Sequence, residues 1–219
     1  MQSSSPNGSE PGSTNDYTRW LSAILLPFLA AASVILFVFP TNTEQLFSWT
    51  ITPPLMAMVL GATYLGGIWF FVQVLRHKQW VRVAHGFPAV LVFATLLAIA
   101  TLIHWDRFHH GHISFITWGI LYATTPVLVL VSIVSNSRSV ADASTPGVPQ
   151  PQVPFVARMV LACIGFVALA TGLTLFLIPA AFVDVWAWQL TPLTARVIGC
   201  FTAQVAVGAL WLSFDRRWS

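Results

Sequence analysis

Charge is what this chain most conspicuously lacks. Lys and Arg number ten and Asp and Glu seven, together 8% of 219 residues, where a soluble domain carries about 25%. So few charges cannot cover a water-facing surface, so most of the chain must be solvated by lipid. Cysteine is equally scarce. Cys163 and Cys200 both fall inside apolar runs. Those runs cross in opposite directions, which puts the sulfurs at depths roughly 10 Å apart. A disulfide needs Cα atoms within about 7 Å, so both are expected to be small buried hydrophobes. Catalytic signatures are missing too. There is no strand–Gly-rich–helix nucleotide motif, no His-Glu-x-x-His, no Gly-x-Ser-x-Gly and no pair of carboxylates within a helix, which argues against the common hydrolases. The pI of about 9.3 and net charge of +3 come without a basic stripe interleaved with aromatics. Basic loops facing anionic lipid account for them better than nucleic acid does.

Apolar residues make up 56% of the sequence, and they come in six runs, at 21–39, 55–75, 83–104, 113–134, 156–178 and 193–214. Each can cross ~30 Å of hydrocarbon as a helix. The alternation of a β-barrel is absent, and helices satisfy their own backbone in lipid. The expected fold is an all-α bundle of six transmembrane helices. Pro27, Pro88 and Pro126 lie within runs and are candidate kinks. Residues 1–18 read as a disordered tail, and 136–154, with four prolines, as a flexible linker. Ala30-Ala31-Ala32 resembles a signal-peptide cleavage site, but the run continues to Phe39, long enough to span.

Positive charge sets the orientation. Arg19, Arg76, Lys78, Arg82, Arg138, Arg158, Arg216 and Arg217 fall on one face, against Arg107 and Arg196 on the other. Both termini are therefore expected in the cytoplasm, with the chain in the plasma membrane. Tryptophan agrees as an aromatic belt, with Trp49, Trp105, Trp118, Trp186 and Trp188 at the outer interface and Trp20, Trp80 and Trp218 at the inner one.

The first and last helical hairpins look like copies. Residues 19–53 align with 158–192 without a gap, matching Arg19 to Arg158, Leu36-Phe37 to Leu175-Phe176 and Pro40 to Pro179. Trp49-x-Ile51-Thr52-Pro53 matches Trp188-x-Leu190-Thr191-Pro192, and after a one-residue shift Gly61 matches Gly199. In each copy Trp is expected to anchor at the headgroups, Thr to cap the next helix and Pro to start it. Two crossings per copy give both the same orientation, related by an axis along the membrane normal. Ala62-x-x-x-Gly66, Ala168-x-x-x-Gly172 and Gly199-x-x-x-Ala203 are candidate close-approach sites.

Trp49 to Gly61, Leu190 to Arg196 and His104-Trp105-Asp106-Arg107-Phe108 resemble a group of uncharacterised bacterial multi-pass membrane proteins. The resemblance spans most of the chain outside the tail and linker. It implies a fold and a membrane location but no activity.

Three groups of residues could carry function. His104, Asp106, His109, His110 and His112 could bind zinc or copper if their loop converged. Their spacing fits no zinc signature, and a polar loop among headgroups is the plainer account. Haem is not expected, because His85 and His104 sit at opposite ends of one helix. Arg196 lies one turn into the last helix, where a charge is costly without a partner. Glu44, Asp106 and Asp184 share its face, with Asp106 the first choice and Asp184 the second. Tyr64, Gln73 and Gln204 could line a polar path, or simply bond between helices. The leading expectation is a non-enzymatic membrane protein of structural, assembly or regulatory type, with no cofactor. A small-solute transporter or channel is the alternative, and a metal-binding protein the third. Lipid is the one expected partner, and self-association is left open.

Overall fold

The computed structural model describes residues 12–142 and 153–214. Six helices in it are long and apolar enough to cross a membrane. They are α1 (Asp16–Val38), α3 (Pro54–Arg76), α4 (Gly86–Ile103), α5 (Ile113–Asp142), α6 (Phe155–Leu177) and α8 (Pro192–Phe214). Two four-residue helices, α2 (Thr43–Leu46) and α7 (Ala180–Val183), interrupt the loops after α1 and α6. The described residues contain no strand, only the isolated bridges Ser13–Gln79 and Trp49–Phe108. The chain is a multi-pass helical membrane protein.

Helix α1 packs along α3 and α6 along α8, while α4 lies against both α8 and α5. One face of the bundle carries the start of α1 and the ends of α3, α5 and α8. We call it the terminal face, and the opposite one the histidine face. Leu36, Met56, Leu60, Phe87, Leu97 and Leu175 are the largest apolar side chains fully enclosed between the helices. Aromatic rings close the bundle at both ends. On the terminal face Phe87 meets Trp80 and Phe70 at 4.7 and 5.3 Å between centroids. On the histidine face Trp49 meets Phe47, Phe108 and Trp118 at 5.0, 5.2 and 4.9 Å.

The runs and the helices differ chiefly at the terminal face. Helix α1 begins at Asp16 because Asn15 caps it, its side-chain oxygen accepting from the Thr18 amide. The expected tail is therefore ordered from Gly12, whose carbonyl accepts from Trp80 N, while Thr14 N donates to Lys78 O. Helix α5 continues to Asp142, so the first residues of the expected linker are helical. The rest of that linker, residues 143–152, and the start of the tail, 1–11, lie outside the described residues, as do Arg216, Arg217 and Trp218. Pro88 falls in the first turn of α4, where its missing N–H breaks no helical bond, while Pro27 and Pro126 lie inside α1 and α5.

The tryptophans depart further from expectation. Trp49, Trp80 and Trp118 are 2, 4 and 5% exposed, so they are core residues and not headgroup anchors. An indole buries more apolar area in a ring cluster than at an interface. Trp20 and Trp105, 71 and 49% exposed, do face outward.

The threonine of the repeated motif also behaves differently in its two settings. Thr191 Oγ1 accepts from the Thr194 amide at the start of α8. Before α3, Pro53 occupies the cap position with no side-chain bond, and the Thr52–Pro53 peptide is cis. Cys163 and Cys200 are both free, the first exposed and the second buried. Burial of Cys200 agrees with its reading as a small hydrophobe, whereas Cys163 faces outward.

Candidate functional site

At the histidine face Arg196 meets neither Asp106 nor Asp184. Its Nη1 donates to His104 Nε2 at 2.7 Å. This corrects the expected ion pair. His104 ends α4, and α4 lies against α8, so packing of the two helices brings the ring to the guanidinium. Asp106 sits in the exposed 3₁₀ turn just beyond, and Asp184 is exposed in the loop after α7. A guanidinium can only donate, so His104 Nε2 must be the unprotonated acceptor and Nδ1 must carry the hydrogen. Burial lowers the His104 pKa first, Arg196 and Arg107 push it further the same way, and Asp106 partly opposes them.

The other imidazoles are spread out. His109 Nδ1 donates to Phe47 O at 3.2 Å, and its Nε2 lies 3.2 Å from Thr50 Oγ1. His110 lies tilted against Trp105 and edge-on to Phe115, at 5.0 and 4.8 Å between centroids. The exposed His112 ring lies 5.0 Å from that of His109. Among the described residues no three His, Cys, Asp or Glu side chains gather to hold a metal ion. His104 Nε2 is taken by Arg196, while His109 gives Nδ1 to the Phe47 carbonyl and turns Nε2 to Thr50.

At mid-depth the structure brings together part of the expected polar set and adds to it. Tyr64 on α3 and Tyr122 on α5 share a hydrogen bond of 3.2 Å between buried hydroxyls. Beside them lies a cavity of about 50 Å³, also lined by Gln204, Thr63 and Thr125. Thr125 Oγ1 is buried there without a partner. Gln73 does not line it. Gln73 sits one turn from the end of α3, too far toward the terminal face. The sequence alone does not single out Tyr122 and Thr125. Only the 3–4 residue spacing that sets them on one side of α5 hints at them.

A larger cavity, about 340 Å³, lies between α1 and α5 in the half of the bundle nearer the histidine face. Phe28, Leu29, Ala32 and Ile35 of α1 line one wall and Ile113, Thr117, Trp118 and Leu121 of α5 the other. Leu29, Tyr64 and Leu121 line both cavities, so the groove leads to the tyrosine pair.

Comparison with known protein families, with curated proteins and with solved structures gives no match for this chain.

Proposed function

We propose that this chain is a non-enzymatic membrane protein of structural, assembly or regulatory type, set in the plasma membrane with both termini cytoplasmic. One observation carries the reading. Most polar groups inside the bundle bond each other or helix backbone, with Thr125 Oγ1 and Trp49 Nε1 among the exceptions, and aromatic clusters pack at both ends. Tyr64 bonds Tyr122, Trp118 Nε1 donates to Thr101 Oγ1, and Asn136 Nδ2 donates to Thr18 Oγ1. A route for a hydrated solute needs polar groups along its length. Here Ser48, Ser114, Thr117, Tyr64, Tyr122 and Gln204 line the cavities from the histidine face to mid-depth, and the Phe70–Trp80–Phe87 rings pack across the terminal face.

The reading includes the duplication of the outer hairpins. Matching contacts at matching residues support it. A Cβ on Gly61 would meet the Phe37 ring at 2.7 Å and Leu36 Cβ at 3.2 Å. One on Gly199 would meet Phe176 N at 3.0 Å and Phe176 Cβ at 3.2 Å. Glycine thus lets the second helix of each hairpin approach the matching phenylalanine, Phe37 in one and Phe176 in the other.

The test is flux. Liposomes containing the purified protein should pass monovalent ions and neutral osmolytes such as glycerol no faster than empty liposomes. Flux that the protein stimulates, and that Tyr64→Phe with Gln204→Leu suppresses, would establish the transport alternative instead.

A further inference from the structure

Helices α1 and α5 are pinned to each other at both ends and stand apart between. At the terminal face Asn15 N donates to Asn136 Oδ1 at 2.9 Å, Asn15 Nδ2 to Ser135 Oγ at 2.8 Å and Asn136 Nδ2 to Thr18 Oγ1 at 2.8 Å. Near the histidine face the loop that follows α1 is tied to α5 and its approach. Ser48 Oγ donates to Ser114 O at 3.0 Å, and His109 N to Ser48 O at 2.9 Å. Between the pins lies the groove of about 340 Å³. It is a built opening with side walls in two spanning helices, so what lies outside it in the bilayer is lipid.

We propose that this groove is a binding site for one acyl chain of a membrane phospholipid. Size decides first. The groove holds about ten methylene-sized groups, taking each at roughly the 30 Å³ of a water's share. That is a hydrocarbon chain, not a partner helix about 10 Å across. Depth agrees. From Ile113 to Leu121 the α5 wall rises roughly 12 Å at 1.5 Å per residue. One leaflet of a ~30 Å core is only slightly deeper. The polarity gradient gives the direction. Phe28, Ala32, Ile35 and Leu121 line the body, while Ser48 and Ser114 sit at the histidine-face mouth. His112, exposed and next to Ile113, lies 5.0 Å from His109 beside that mouth. The exposed His112 imidazole and the Ser114 hydroxyl, which lie beside the Ser48–Ser114 bond, suit the phosphodiester and ester oxygens of a headgroup. The chain end reaches the Tyr64 ring at mid-depth. The site is independent of whether the protein passes solutes.

The test uses the full chain in nanodiscs containing phosphatidylcholine with a photoactivatable diazirine at mid-chain. After irradiation and digestion, adducts should concentrate on α1 around residues 28–35 and on α5 around 117–121. The exposed face of α6, with Val160, Ile164 and Val167, reports ordinary surrounding lipid. Ala32→Trp fills the groove and should cut the α1 and α5 adducts severalfold while leaving the α6 adducts unchanged. Ala31→Leu with Thr117→Leu, which adds less bulk, serves if Ala32→Trp does not run as a monodisperse protein. Adducts spread evenly over exposed helix faces and insensitive to both variants would overturn the proposal. So would groove labelling by a diazirine fatty acid that an excess of phosphatidylcholine fails to compete.

Discussion

At the scale of single residues, Arg196 is the group whose surroundings matter most. Its Nε is buried without a partner, and its one hydrogen bond goes to neutral His104. Protonating His104 removes that acceptor and sets two cations side by side. The folded-state pKa of His104 lies below the ordinary value of 6.5. The unfolded chain therefore takes up the proton first, and the stabilising contribution is full above about pH 6.5. It is lost as pH falls toward and through the depressed value. The melting temperature in detergent should fall between pH 7 and pH 5. In His104→Gln, whose side-chain oxygen still accepts from Arg196 but does not titrate, this fall should be flatter. An unchanged pH profile in that variant would remove His104 as its source. Arg196→Ala should cost about 1 kcal/mol, the value of one partly exposed hydrogen bond to a charged group. The sequence marks Arg196 plainly, since a charge near a helix interior demands a partner. It hides the partner, because pairing by opposite charge points to Asp106 and Asp184. Helix packing brings a neutral ring instead.

At the scale of elements, glycine separates tight contacts from incidental ones. A Cβ on Gly172 would meet Ala203 N at 2.9 Å and Gly199 O at 3.1 Å. These are backbone atoms of α8, which cannot swing aside. A Cβ on Gly66 meets nothing within 4 Å. Gly172→Ala should therefore push α6 from α8 and destabilise by about 1–3 kcal/mol. Gly66→Ala should be neutral, or stabilising by up to about 1 kcal/mol through helix propensity. Thermal unfolding of the two variants side by side checks this, and equal effects would refute the contact. Spacing alone nominates Ala62-x-x-x-Gly66, Ala168-x-x-x-Gly172 and Gly199-x-x-x-Ala203 equally. Only the latter two lie where α6 crosses α8. The helices themselves are legible because lipid leaves the backbone no alternative. Their ends at the terminal face are less so, because polar caps such as Asn15 set them where hydrophobicity has already faded.

At the scale of the molecule, the arrangement of faces makes its own prediction. With Cys163 changed to Ser, a cysteine at Gly111 and one at Lys78 should react with a membrane-impermeant maleimide from opposite sides of intact cells. Gly111 should label from outside. Labelling of Lys78 from outside would reverse the proposed orientation. The number of crossings follows from composition and run length. The groove between α1 and α5 was not legible, because those helices are remote in sequence and a gap between them leaves no motif. Its walls read as ordinary apolar run.

The knot that pins α1 to α5 has a consequence for synthesis. The Asn15 amide finds its acceptor 121 residues downstream, on Asn136. At about 5–20 residues per second, Asn15 waits roughly 6–24 s before Asn136 is made. During that interval Thr18 and Asn15 lack their partners on α5. Helix α1 is thus tied to α5 only once that fourth spanning helix is made, and α1 and α3 must rest on each other until then.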